Sequence, residues 1–219
     1  NEVAYWKKQL SGVSGILDFP IDKQRPEVKR YFGSSYRFNI DKNVTARAEE
    51  FAREKNISLF MLLESVYALL LYKYSGENDI CVGVPIANRN SEEFEKIIGY
   101  FANTIVIRSK FDENAETGAF LDANKETILE AFANSHVSFE EIVKNLSFER
   151  RQSHSVLYQY AFTFQNYAYR DLALDKVKIS PEFQQNPSVK FDLNFIVRRI
   201  DEHFYIEAEY DTDLFTEGY

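Results

Sequence analysis

The 219 residues suit one large domain or two small lobes, and at 45% hydrophobic, 27% charged and 16% aromatic they supply enough apolar bulk for a sizeable core. A net charge of −8 argues against binding nucleic acid through a broad basic face, because phosphate contacts need clustered cations. The single Cys81 excludes an internal disulfide and a multi-cysteine zinc site, and fits a cytoplasmic location.

The opening "NEVAYWKKQL" has neither a basic start before an apolar run nor a small-residue cleavage site. "VAYWKKQLSG" predicts a short amphipathic helix ending at Gly12, followed by a proline-containing connector, "LDFPIDKQRPEV". "YRFNI" alternates like a strand. "NVTARAEEFAREKNI" predicts a helix with Val44, Ala48, Phe51 and Ala52 on one side. Ser58 suits the N-cap of the next helix and Gly76 its terminator. The run "LFMLLESVYALLLY" between them is apolar on most sides, which predicts a central helix. It is too short for the roughly 20 residues of a membrane span, and Glu64 interrupts it.

"ICVGVPIA" is a continuous apolar run, the pattern of a strand covered on both faces, with Pro85 marking an edge or bulge at its far end. A short polar helix is expected at 91–96. "IGYFANTIVIR", residues 98–108, follows as a strand-like run that carries a glycine, an Asn-Thr pair and a closing arginine. "ETGAFLDANKETILEAFANS" predicts a helix with Leu121, Ile128 and Phe132 at helical spacing, and "FEEIVKNL" a shorter one. Three segments then alternate with period two: Tyr158, Tyr160, Phe162, Phe164; Phe191, Leu193, Phe195, Val197; and Phe204, Ile206, Ala208, Tyr210. Each predicts a strand with one buried face, and "RIDEH" is short enough for a hairpin turn. The fold class is α/β, a mixed sheet with helices packed on it.

Chemistry read from the residues alone is thin. His136, His154 and His203 stand apart, with no metal-ligand spacing; His203, at a turn, reads as solvated. There is no phosphate-binding glycine loop, Gly-x-Ser-x-Gly elbow or His-Glu-x-x-His. The carboxylate pairs Glu140–Glu141 and Glu49–Glu50 fit solvated helix faces.

The stretch at 98–108 resembles the fifth motif of condensation domains of nonribosomal peptide synthetases, Ile/Val-Gly-x-Phe-Val-Asn-Thr-x-x-x-Arg. Ile98, Gly99, Phe101, Asn103, Thr104 and Arg108 match, and Ala102 replaces Val. "YWKKQLSG", the Gly83, Pro85 and Arg89 of "VGVPIANR", and "EYDTDLF" are similar to other pieces of the same family. Residues 134–143 resemble its sixth motif at Asn134, Phe139 and Glu140, with Ser135, His136 and Ser138 in place of Gln, Asp and Pro. Residues 150–159 resemble its seventh at Arg150, Ser153 and Leu157; Arg151, His154, Ser155 and Val156 depart.

The resemblance implies a chloramphenicol acetyltransferase-like fold, two lobes in a V around a channel. It implies amide formation between a carrier-bound acyl thioester and a carrier-bound aminoacyl amine. The family's catalytic His-His-x-x-x-Asp-Gly has no counterpart in this sequence, so residues 1–219 read as the C-terminal lobe, inactive alone, with no catalytic residue of its own. The implied partners are donor and acceptor peptidyl carrier proteins, the N-terminal lobe and an adenylation domain. No cofactor is bound directly; phosphopantetheine arms belong to the carriers, and Arg89, Arg150 and Arg151 either meet those acidic carriers or are simply solvated.

The implied channel residues are Gly99, Asn103, Thr104, Ser153 and Ser155; Phe101, Arg108, Phe139, Glu140 and Arg150 complete the motifs. Asn103 and Thr104 either hydrogen-bond a pantetheine arm or satisfy buried backbone groups, while Arg108 pairs with a carboxylate. An epimerisation domain is the less favoured relative, because the Asn-Thr pair is typical of condensation domains. A degenerate, docking-only member of the fold is the alternative class.

Overall fold

A computed structural model describes residues 2–89, 92–146, 148, 151–165 and 187–217. Local signals set several helix ends. Ser58 caps α3 (Leu59–Ser75) by accepting from Met61 N at 3.1 Å, and Gly76 ends it in the left-handed region at φ 73°. The preceding helix α2 (Lys42–Glu54) is capped by Asp41. The first helix, α1 (Glu2–Gln9), stops just short of Gly12, which is left-handed at φ 74°. The remaining helices among the described residues are α4 (Glu92–Glu95), α5 (Thr117–Ala133) and α6 (Phe139–Leu146).

Among the described residues six strands form one mixed sheet. They are β1 (Gly33–Ile40), β2 (Asp79–Ile86), β3 (Asn103–Lys110), β4 (Tyr160–Gln165), β5 (Leu193–Ile200) and β6 (His203–Asp211), in the order β1-β6-β5-β4-β2-β3. β4 runs parallel to β2 and to β5; the other pairs are antiparallel. β2 meets β4 only at Val82↔Tyr160 and Gly83↔Ala161. Pro85 therefore falls where β2 has left β4 and needs no N–H for that side, as its sequence position suggested. The β5–β6 hairpin closes through Asp201, at φ 51°, and Glu202, between the paired Ile200 and His203.

Helix α3 packs on β2 and β4, α5 on β3, α2 on β6, and α1 against α6. Tyr67, Leu71, Ile80, Val82, Ile105, Ile107, Ile128 and Phe162 fill the core between them. Among the described residues no single helix is long and apolar enough to cross a membrane.

The structure corrects five expectations. Val44 is exposed and Thr45 takes its inward place, its hydroxyl accepting from Phe204 N. Phe132 is also exposed, resting edge-on against Phe60. His203 is half-buried, with Nδ1 3.2 Å from Ile40 O, rather than solvated. Tyr158 and Phe191 precede their strands. The second face of β5 and β6 also holds buried polar groups, Asn194, Arg198 and Glu207, which are paired: Glu207 accepts from Arg198 and Arg37, and Asn194 donates to Glu209.

Candidate functional site

At the start of β3 the Asn103 side chain is used completely. Its Nδ2 donates to Ser135 O at 2.9 Å and Val137 O at 2.8 Å. Its Oδ1 accepts from Thr104 N at 2.8 Å and Phe139 N at 3.1 Å. A primary amide has two donor hydrogens and two acceptor positions, so all four are filled. Asn103 thus ties the fifth motif to the loop and helix of the sixth. The departures there keep that frame. Ser135 contributes only its carbonyl to the link, Ser138 Oγ caps α6 by accepting from Glu141 N, and His136 Nδ1 lies 3.2 Å from Glu2.

Thr104 lies opposite Pro85 in the register, and its side chain is near enough to the Tyr158 hydroxyl to influence its proton affinity. The Tyr158 ring lies over Gly83 of β2, edge-on to Phe139 at 5.4 Å and against Phe191 at 5.5 Å. Burial pushes the phenol up to about 12; the nearby Thr104 side chain opposes that shift and Glu140 adds to it. The phenol is therefore neutral and acts as a positioned hydrogen-bonding group. Leu157, at φ 75°, makes the backbone turn that delivers the ring to this place.

Arg108 holds the other end of β3. It forks onto Asp79 at 2.7 and 2.6 Å and donates to Gln9 O and Ser11 O, both at 2.8 Å, which joins β2, β3 and the end of α1. Gly99 and Phe101 lie in the loop before β3, so the strand is shorter than residues 98–108 suggested. A Cβ on Gly99 would meet the Phe101 ring at 3.1 Å. Arg89 stacks on that ring at 4.4 Å and donates to Phe94 O, Ile97 O and Gly99 O.

The seventh motif forms a second cluster. Ser153 Oγ is 2.8 Å from His154 Nδ1, and Ser153 O accepts from Arg25, which also pairs with buried Asp192. Burial, with Arg25 nearby, lowers the His154 pKa and favours the neutral ring. Ser155 offers its carbonyl to Gln159 Nε2 and lines a hollow of about 40 Å³ with Arg151 and His154. Arg150 lies outside the described residues. Among the described residues no group of three or more His, Cys, Asp or Glu side chains is placed to hold a metal ion.

Sequence reasoning missed the parts that join these clusters. Tyr158 read as one more core aromatic. Gln159 drew no notice, yet it accepts from Leu17 N and donates to Gly15 O and Ser155 O. The available signal was Gly83: a glycine inside a buried strand marks a close approach, and the ring of Tyr158 is what approaches.

The family model described as condensation domain matches residues 1–218. This chain belongs to the condensation-domain family. It is 35% identical over 216 residues to a linear gramicidin synthase of Brevibacillus parabrevis, covering 98% of this chain and 3% of that protein. It is 33% identical over 211 residues to a plipastatin synthase of Bacillus subtilis (strain 168), covering 96% of this chain and 6% of that protein. A four-domain nonribosomal peptide synthetase solved with AMP and glycine superposes with a TM-score of 0.89 at 22% identity, over 99% of this chain and 18% of that one. The X-domain from teicoplanin biosynthesis superposes at 0.88 and 21%, over 99% of this chain and 50% of that one; it has also been solved in complex with OxyB. The condensation-domain chain described here thus spans a small fraction of the synthetases it matches, and the mixed sheet with helices packed on it agrees with the α/β fold class expected from the sequence.

Proposed function

We propose that this chain is the C-terminal half of a condensation domain that joins a carrier-bound acyl thioester to a carrier-bound aminoacyl amine. The amine nitrogen attacks the thioester carbonyl, the C–N bond forms, the C–S bond breaks, and the departing thiolate takes the proton the amine loses. The acid–base group for this step belongs to the half outside this chain. The one observation that carries the reading is the collinear match over residues 1–218, with three of its motifs meeting in space around Asn103 and Tyr158.

The contribution of this half is placement. Asn103 fixes β3 to the start of α6, and Thr104 with Tyr158 and Phe139 forms a wall whose groups cannot rotate freely. Ser153 and Ser155 belong to the channel's rim in this reading. Donor and acceptor carriers bring their own phosphopantetheine arms, and an adenylation domain supplies the activated amino acid.

The test is amide formation from loaded donor and acceptor carriers, read by mass spectrometry. The whole domain should form the amide and this chain alone should not. A second reading, a recruitment module without catalysis, draws on the X-domain complexed with OxyB. It would be favoured if the whole domain bound loaded carriers yet formed no amide.

A further inference from the structure

The end of α1, the end of β3 and the Phe120–Thr127 face of α5 border a hollow of about 430 Å³. Lys8, Arg108 and Lys110 line it. Among the described residues no carboxylate does, although the chain as a whole carries a net charge of −8. Local cations therefore set the potential in this hollow, against the field of the rest of the molecule.

The three cations are not alike. Arg108 is buried and committed: its charge is met by Asp79, and it binds the carbonyls of Gln9 and Ser11. Lys8 and Lys110 are exposed, and among the described residues neither has an ion-pair or hydrogen-bond partner. Two unpaired ammonium groups beside one hollow repel each other, and a single dianion between them removes that repulsion. A phosphate monoester carries about two negative charges at neutral pH, and lysine binds phosphate as a point charge.

Phe120 adds a second element of recognition. It ends a stack of three rings, with centroids 4.5 Å apart from Tyr72 to Phe111 and 4.4 Å from Phe111 to Phe120. Its place on the wall of the hollow gives a planar group a ring to rest against. Inorganic phosphate would meet the two ammonium groups alone, whereas a phosphate ester of a planar ring system meets both elements. We propose that this hollow binds a small phosphate monoester of nucleoside monophosphate size, its phosphate between Lys8 and Lys110 and its ring against Phe120. The hollow lies at the Arg108 end of β3, the opposite end from Asn103, and all of its lining belongs to this chain.

The test is isothermal titration calorimetry on this chain with AMP, adenosine and inorganic phosphate as probes. AMP should bind saturably, and adenosine and phosphate at least about tenfold more weakly, because each lacks one of the two contacts. The AMP affinity should fall as salt is added. A Lys8→Gln/Lys110→Gln variant should bind AMP about tenfold more weakly or worse, with a Tm no lower than wild type, since both side chains are solvated. Absence of AMP binding overturns the proposal, and so does AMP binding that survives the double variant. AMP no tighter than inorganic phosphate overturns it too, and leaves a cationic patch that reads charge alone.

Discussion

The ring of Tyr158 lies against the backbone of Gly83 closer than any side chain there would allow. A Cβ at residue 83 would fall 2.0–2.4 Å from three ring atoms. The ring cannot simply withdraw, because Thr104, Phe139 and Phe191 hold it on other sides. Gly83→Ala should therefore destabilise the fold by about 1–3 kcal/mol, the range for overpacking a close-packed site. In a Tyr158→Ala background the same change should cost much less. Urea denaturation of the four proteins gives the coupling. Equal costs in both backgrounds would show that the ring is not what Gly83 accommodates.

Asn103 offers a sharper separation of structure from activity. Asn103→Asp keeps the shape but turns both donors into acceptors facing the carbonyls of Ser135 and Val137. The expected loss is about 2–4 kcal/mol, since two carbonyls lose their partners and an anion faces them. Measured in the whole domain well below its Tm, condensation should also fall by about tenfold or more, because the wall shifts with α6. Activity that falls only as far as the folded fraction falls would reduce Asn103 to a structural tie.

How much of this could be read along the chain depends on distance in sequence. The ends of α3 were legible because Ser58 and Gly76 act on groups within four residues of themselves. The partners of Asn103 lie 32 to 36 residues away, so no local pattern discloses them; only the resemblance marked the position. Helical spacing gave the faces of α2 and α5 but not their depth, which is why Val44 and Phe132 surface while Thr45 and Asn124 are buried. Period-two alternation placed Tyr158 in a strand, and the positive φ of Leu157 that removes it leaves no compositional trace.

Asn124 reports on an ionisable group that alternation and spacing passed over. It donates to Glu64 Oε2 at 2.8 Å, while Glu64 Oε1, wholly buried on α3, has no partner. Burial raises the Glu64 pKa to about 7, opposed by the Asn124 bond. Below the ordinary value near 4.5 both folded and unfolded states hold the proton, and stability is at its full value. Between 4.5 and about 7 the unfolded chain ionises first, so stability falls as pH rises and levels off above the folded value. The loss is on the order of 3 kcal/mol. Glu64→Gln should flatten the dependence over that window. Chemical denaturation from about pH 4.5 to 8 checks it, and an unchanged slope in the variant would assign the effect to another group.

Arg108 tests whether charge alone explains the closing arginine of the fifth motif. A lysine would keep the charge and lose the fork onto Asp79 together with at least one of the bonds to Gln9 O and Ser11 O. With Arg108 largely buried and Asp79 partly so, the expected cost of Arg108→Lys is about 2–3 kcal/mol. The loss should be local. Hydrogen exchange should quicken in the turn at Leu10–Ser11, where the chain leaves α1, before it does in the Asn103 region at the other end of β3. Simple charge pairing predicts a different result, a lysine variant of wild-type stability whose cost appears only in Arg108→Ala.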